Sequence, residues 1–160
     1  MRQSVSILLL AVAGIVGCGV GSVAPVVTDN TGGTNIGPQN VARVILFDYD
    51  SYVIKAEYQN IVEAHARWMK ANPTRKLNIE GHTDERGGRE YNLALGQRRA
   101  EAVRAFLANY GIDPDRFTTV SFGKERPLVE GEDEEAWARN RRAEFALAGG
   151  QVTVVPEELR

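Results

Sequence analysis

A single cysteine, Cys18, occurs among the 160 residues, so no disulfide can form within the chain. Histidine is nearly as scarce, with two residues in all, and no cluster of histidine and cysteine completes a metal shell. Positive charge is not in excess either: 19 basic residues against 21 acidic ones leave a formal charge of -2. A nucleic-acid partner therefore has no electrostatic footprint to rest on. No serine or cysteine pairs with a histidine in a way that would activate a nucleophile, and Gly87-Gly88 lacks the lysine and spacing of a phosphate loop. These absences point away from an enzyme. Internal repeats are missing too, and the one block of like charge, Glu132 to Glu135, reads as a solvated turn.

What is present suits one compact core, with 43% hydrophobic and 25% charged residues. Ahead of it, Met1-Arg2-Gln3 leads into a mostly apolar stretch from Val5 to Val16, then Gly17 and Cys18, which is the order of an export signal. The stretch is about a dozen residues, short of the roughly 20 that a spanning helix needs. An ordinary secretory signal fits this order. Ile15-Val16-Gly17-Cys18, however, resembles the bacterial lipobox, which implies removal of residues 1–17 and lipid attachment at Cys18, through a thioether-linked diacylglycerol and a third chain on the amine. Several acyl chains hold a membrane far more firmly than one. Gly19 stands where lipoproteins of the inner membrane often carry aspartate, which implies sorting to the outer membrane. Residues 18–40 are rich in glycine, threonine, asparagine and proline and read as a flexible tether, able to stretch roughly 70 Å.

Val41 to Phe47 is a short apolar run rich in branched residues and reads as a buried strand. Tyr58, Ile61, Val62, His65, Trp68 and Met69 recur at helical spacing, and Asn72-Pro73 ends that pattern. His65 on this apolar face reads as a core histidine. Leu77, Ile79 and Gly81 alternate with Asn78, Glu80 and His82, the mark of a strand with one face covered. A second helix runs along the stripe Leu95, Ala102, Val103, Phe106, Leu107 and Tyr110 and stops at Gly111. Phe117 to Phe122 and Ala143 to Ala148 supply two further strands, with a short helix from Asp133 to Asn140 before the last. The expected fold class is α/β (α+β), with helices packed on a mixed sheet. The tail from Gly149 lacks a packing pattern, although Val152 to Val155 is a candidate edge strand.

Charged and turn-forming residues crowd the connection from Gly81 to Asn92, between a strand and a helix, where sites usually lie. Asp84 can serve there as a plain turn residue. Arg99 follows Leu95 on the apolar stripe, so its guanidinium points inward, and such a charge needs a partner. One solution is an internal ion pair with Asp84. The other is a split site, in which an amino-acid head group sets its ammonium on Asp84 and its carboxylate on the planar fork of Arg99. The residues alone leave both open. Glu80, His82 and Asp84 also invite a metal reading, but no second histidine or cysteine cluster completes the shell.

The run TDERGGREYNLALGQRRAEAV from Thr83, with FGKERP and NRRAEF beyond it, resembles the OmpA-like domain family and, within it, the peptidoglycan-associated lipoproteins. Thr83-Asp84, Gly87, Asn92, Leu95 and Arg99-Ala100 carry the match. The resemblance implies a peptidoglycan-binding domain at 41–148, after a signal at 1–17 and an acylated tether at 18–40, and before a tail at 149–160. It implies that Asp84 takes the ammonium of diaminopimelate in the stem peptide and Arg99 its carboxylate. Tyr49, Asp50, Thr83, Asn92 and Leu95 would belong to the same pocket, with Arg141 either beside it or bracing the last strand. It further implies no catalysis, no cofactor and no metal. The domain would sit in the periplasm, held to the outer membrane through Cys18, with TolB and other Tol proteins as partners. The alternative is an envelope interaction protein that binds Tol partners while an internal Asp84–Arg99 ion pair closes the pocket. On the first reading Asp84→Ala and Arg99→Ala each weaken binding while folding survives.

Overall fold

The computed structural model describes residues 37–148. The export signal, the lipobox with Cys18, the tether up to residue 36 and the tail with its candidate strand at Val152 to Val155 lie outside the described residues. Within them, strands β1 (Val44–Leu46), β2 (Leu77–His82), β3 (Phe117–Gly123) and β4 (Arg142–Leu147) form one sheet in the order β1-β4-β2-β3. Strand β4 lies antiparallel to both β1 and β2, whereas β2 and β3 run parallel. Parallel neighbours need a crossover, and helix α2 (Arg89–Asn109) supplies it. Helix α1 (Ala56–Ala71) joins β1 to β2, and α3 (Glu134–Asn140) leads into β4. The mixed sheet with packed helices is the α/β architecture that the periodicities indicate.

Alternation along the strands decides which face is covered. Ile45, Phe47, Leu77, Ile79, Phe117, Ala143 and Phe145 meet Tyr58, Val62, Ala66 and Met69 of α1 and Val103 and Leu107 of α2 in one core. Each large apolar side chain sealed there contributes about 1.5–3 kcal/mol. Two glycines let α2 come down directly on β2: a Cβ on Gly81 would lie 1.8 Å from the carbonyl oxygen of Gly96. That contact sets the distance between the end of β2 and the buried face of α2. Gly111 ends the second helical region at φ 82°, as its position suggests. No helix among the described residues is long and apolar enough to cross a membrane.

Two boundaries and one turn differ from what the sequence suggests. Strand β1 is regular over three residues only, although Phe47 N–H still donates to the Arg141 carbonyl at 2.8 Å and Phe145 N–H to that of Arg43 at 3.0 Å. Its ends pair irregularly, which an apolar run cannot reveal. Helix α2 starts at Arg89, well before its apolar stripe, because Arg89, Glu90 and Tyr91 are exposed and leave no periodic trace. The acidic run at Glu132 to Glu135 is not a free turn: Asp133 caps α3 by accepting from Ala136 N–H at 2.8 Å, and Glu134 pairs with Arg141 at 2.7 Å.

His65 is fully buried in α1, its ring stacked on Phe145 with 4.0 Å between centroids. Its Nδ1–H donates to the Ile61 carbonyl at 2.9 Å. Burial pushes its pKa down to about 4, against the Ile61 hydrogen bond and helped by Arg43. The unfolded chain takes up that proton near 6.5, so folding stability is lost as pH falls from there towards 4. His65→Leu is expected to remove roughly 2–3 kcal/mol of the change in unfolding free energy between pH 7 and 4.5. Urea titrations at both pH values measure it, and an unaltered pH slope in the variant would assign the effect elsewhere.

Candidate functional site

Beyond β2 the chain turns through Thr83 to Gly88, and this turn is held from several sides. Thr83 N–H donates to the Gly123 carbonyl at 2.9 Å and its hydroxyl to that of Asp84 at 3.0 Å. Lys124 Nζ reaches the carbonyls of Glu85 at 3.2 Å and Gly87 at 2.7 Å. The Asn92 side-chain amide donates to the Arg86 carbonyl at 2.9 Å, anchoring the loop to the first turns of α2. Loops pinned in this way can present side chains with the precision of a rigid element.

Asp84 is 4% exposed at the centre of this loop. Its carboxylate accepts from Arg86 three times: from the backbone N–H at 3.1 Å, Nε at 3.2 Å and Nη2 at 2.7 Å. Burial raises its pKa, but the Arg86 hydrogen bonds and the charges of Arg86 and Arg141 outweigh that effect and hold the carboxyl below its ordinary value. Arg86 in turn lies between two aromatic rings, 4.3 Å from the centroid of Tyr49 and 4.1 Å from that of Trp137. Trp137 is fixed by its indole N–H, which donates to Glu85 at 2.9 Å.

Arg99 has no exposed surface, and its hydrogen-bond partners are backbone carbonyls. Nε donates to the Ser51 carbonyl at 2.8 Å, Nη1 to that of His82 at 2.8 Å and Nη2 to that of Asp48 at 3.1 Å. Of the two solutions that the sequence leaves open for Arg99, the internal ion pair with Asp84 is not formed: converging carbonyls claim the guanidinium, and the nearer, half-exposed Arg86 claims the carboxylate. Burial lowers the Arg99 pKa to about 10, with Asp84 opposing and Arg141 adding to the shift, so it stays charged near pH 7.

Between these groups lies an open cavity of about 130 Å³. The structure brings Tyr49, Asp50, Thr83, Asp84, Asn92, Leu95 and Arg99 together around it, and adds Arg86, Gly87 and Tyr91. Asp50 takes a left-handed backbone, φ 49°, and accepts from the Tyr91 hydroxyl. Arg141 stands behind Asp84 and is not part of the lining. Its Nε donates to the Phe47 carbonyl at 3.0 Å, its Nη2 meets Glu134, and its Nη1, without a hydrogen-bond partner, lies 3.5 Å from Asp84. It braces β4 and reinforces the charge on Asp84 at once. Cys18 lies outside the described residues. Arg86 carried a signal that periodicity passes over, a cation two residues from the acid in one loop, whereas Trp137 is remote in sequence and carried none.

A buried acid and a buried guanidinium facing one small cavity match the two charges of an amino-acid head group. Among known proteins, a family model described as OmpA family matches residues 46–141. The chain belongs to the OmpA family. The peptidoglycan-associated lipoprotein of Haemophilus influenzae is 50% identical over 104 residues, 65% of this chain and 68% of that protein. That of Pasteurella multocida is 41% identical over 149 residues, 91% of this chain and 99% of its own. The crystal structure of the peptidoglycan-associated lipoprotein from Burkholderia pseudomallei superposes with a TM-score of 0.65 at 48% identity, covering 66% of this chain and 90% of that one. The kinship indicated by the Thr83 to Val103 run thus extends to the OmpA-family fold.

The carbonyl partners of Arg99 change what its substitution does. Arg99→Ala takes a donor from each of three carbonyls, of which that of Asp48 keeps the Ser51 N–H at 3.2 Å, and is expected to lower the unfolding free energy by roughly 3 kcal/mol, with Arg99→Lys restoring only part. The fold is expected to survive the substitution at this lower stability. Urea denaturation measures the loss, and a variant as stable as the parent would show that these three contacts contribute nothing.

Proposed function

We propose that this OmpA-family chain is an outer-membrane lipoprotein whose domain at 41–148 binds the diaminopimelate-bearing stem peptide of peptidoglycan without covalent chemistry. The observation that carries the reading is the convergence of ionised Asp84 and charged Arg99 on one small cavity. The ligand ammonium would replace the Arg86 guanidinium on Asp84, and the ligand carboxylate would take the remaining N–H groups of Arg99. Asn92 and Thr83 hold the loop, Leu95 supplies an apolar wall, and Tyr49 with Asp50 form the rim. Arg141 keeps Asp84 ionised from behind. No histidine, cysteine or serine lines the cavity, which favours binding over hydrolysis. The names of the relatives, peptidoglycan-associated lipoproteins, agree with the reading.

Acylated Cys18 would anchor the other end in the outer membrane, with the tether spanning the gap and the domain in the periplasm. Many such links acting between two surfaces hold them together even at modest single-site affinity. We further place the chain in the Tol–Pal system, with TolB as a protein partner. A second reading draws on one specific contact: Asp84 is already satisfied by Arg86, so the domain could act through Tol partners with its pocket shut.

Cosedimentation of the full-length chain with purified diaminopimelate-type sacculi separates the two. The parent should bind. Asp84→Asn, which keeps the shape of the side chain, should weaken binding by about 2–3 kcal/mol, or roughly 30- to 150-fold. Arg86→Ala frees the acid of its competitor and should tighten binding by about 1 kcal/mol, roughly fivefold. Absence of binding by the parent would favour the partner-only reading. Full binding by Asp84→Asn would remove Asp84 from the site.

A further inference from the structure

The face of the sheet turned away from α1 and α2 carries a polar cluster that the cavity at Asp84 does not use. Glu80 and His82 alternate on β2 and so share this face. Glu144 of β4 lies directly opposite Glu80 in the antiparallel register. One ligand-type atom from each of Glu80, His82 and Glu144 falls within 4.8 Å of the others. His82 is 1% exposed, yet neither ring nitrogen has a hydrogen-bond partner. Its Nε2 points at Glu80 Oε2 from 3.8 Å, beyond hydrogen-bonding range. A buried imidazole with both nitrogens unsatisfied calls for a missing partner, and here two carboxylates stand beside it.

We propose that Glu80, His82 and Glu144 form a binding site for a divalent cation of the zinc class. One imidazole nitrogen and two carboxylate oxygens, with a fourth position left for water, are a donor set that suits such an ion. Tetrahedral ligation at about 2.0–2.1 Å needs donors about 3.4 Å apart, so side chains whose ligand atoms now lie within 4.8 Å of one another would close further around the ion. The imidazole is in the form a metal takes. Burial holds the His82 pKa below the ordinary histidine value, with Arg142 adding to the shift and Glu80 and Glu144 opposing it. Arg142 donates through Nε to Glu144 Oε1 and through its other nitrogens to the carbonyls of Asn140 at 3.5 Å and Arg126 at 3.3 Å. It orients Glu144 as a supporting group does around a metal, leaving Oε2 for the ion, while its charge limits the affinity. The Glu80 and Glu144 side chains are 24% and 26% exposed, so an ion reaches them from solvent.

The sequence alone points away from a metal because no second histidine or cysteine cluster completes a shell with Glu80, His82 and Asp84. The third donor instead comes from across the sheet, through a strand pairing that spacing cannot show.

The test is titration of the full-length, chelator-stripped chain with zinc ion, followed by calorimetry and by the imidazole ring resonances. With two histidines in the chain, those signals are readily assigned. One equivalent should bind with micromolar affinity, shifting the His82 ring and leaving His65 unmoved. His82→Gln and Glu144→Gln should each weaken binding at least about tenfold, while Asp84→Asn should not change it. A His82 ring that stays unmoved at millimolar zinc would overturn the proposal, as would undiminished affinity in His82→Gln. The ring signal of the parent decides the matter even if a variant fails to fold.

Discussion

A guanidinium sealed from water with no carboxylate against it carries a large desolvation cost. Arg99 offsets it with carbonyl oxygens of Asp48, Ser51 and His82. These belong to the loop after β1 and to the end of β2, so one side chain of α2 fixes two loops that are far apart in sequence. Gly81 and Gly96 make this possible by letting helix and strand touch through their backbones. Tyr49 and Asp50 reach the cavity from one of those loops, and Thr83 and Asp84 from the other. The shape of the site is thus a consequence of how Arg99 is solvated by the protein itself.

Within that frame, charge is arranged so that Asp84 has partners at two levels. Arg141 is buried, tied to Phe47 and Glu134, and stands 3.5 Å away as a fixed background charge. Arg86 is closer at 2.7 Å and retains about a third of its side-chain surface. Aromatic rings on either side steady its guanidinium through their π faces. On the proposed reading Arg141 is the permanent cation and Arg86 the one that a ligand ammonium replaces, so that Asp84 remains ionised with or without a ligand. Asp84, Arg86 and Trp137 therefore act as one unit, although α3 is distant from the loop in sequence.

Much of this was legible beforehand. Alternation placed β2, the Leu95 to Tyr110 stripe placed most of α2, and Gly111 marked its end. Arg99 stood out as a cation on an apolar stripe, and the demand for a partner was correct. Which groups hold it in the protein is not legible, because side-chain charges are visible in a sequence and converging backbone carbonyls are not. Asp84 was found for its place in the loop, but Arg86 was passed over, since a neighbouring cation looks like ordinary loop polarity until its stacking on Tyr49 and Trp137 is seen. The start of α2 was missed because exposed Arg89, Glu90 and Tyr91 have no hydrophobic period. That Glu144 lies opposite Glu80 follows only from strand register.

The central claim is that Asp84 exchanges Arg86 for the ammonium of a stem-peptide residue. A crystal structure of the chain with a soluble diaminopimelate-containing tripeptide tests it most directly. The account predicts the ligand ammonium within hydrogen-bonding distance of Asp84, its carboxylate at Arg99, and the Arg86 guanidinium swung away from the acid. A peptide bound elsewhere, with the Asp84–Arg86 pair intact, would contradict it.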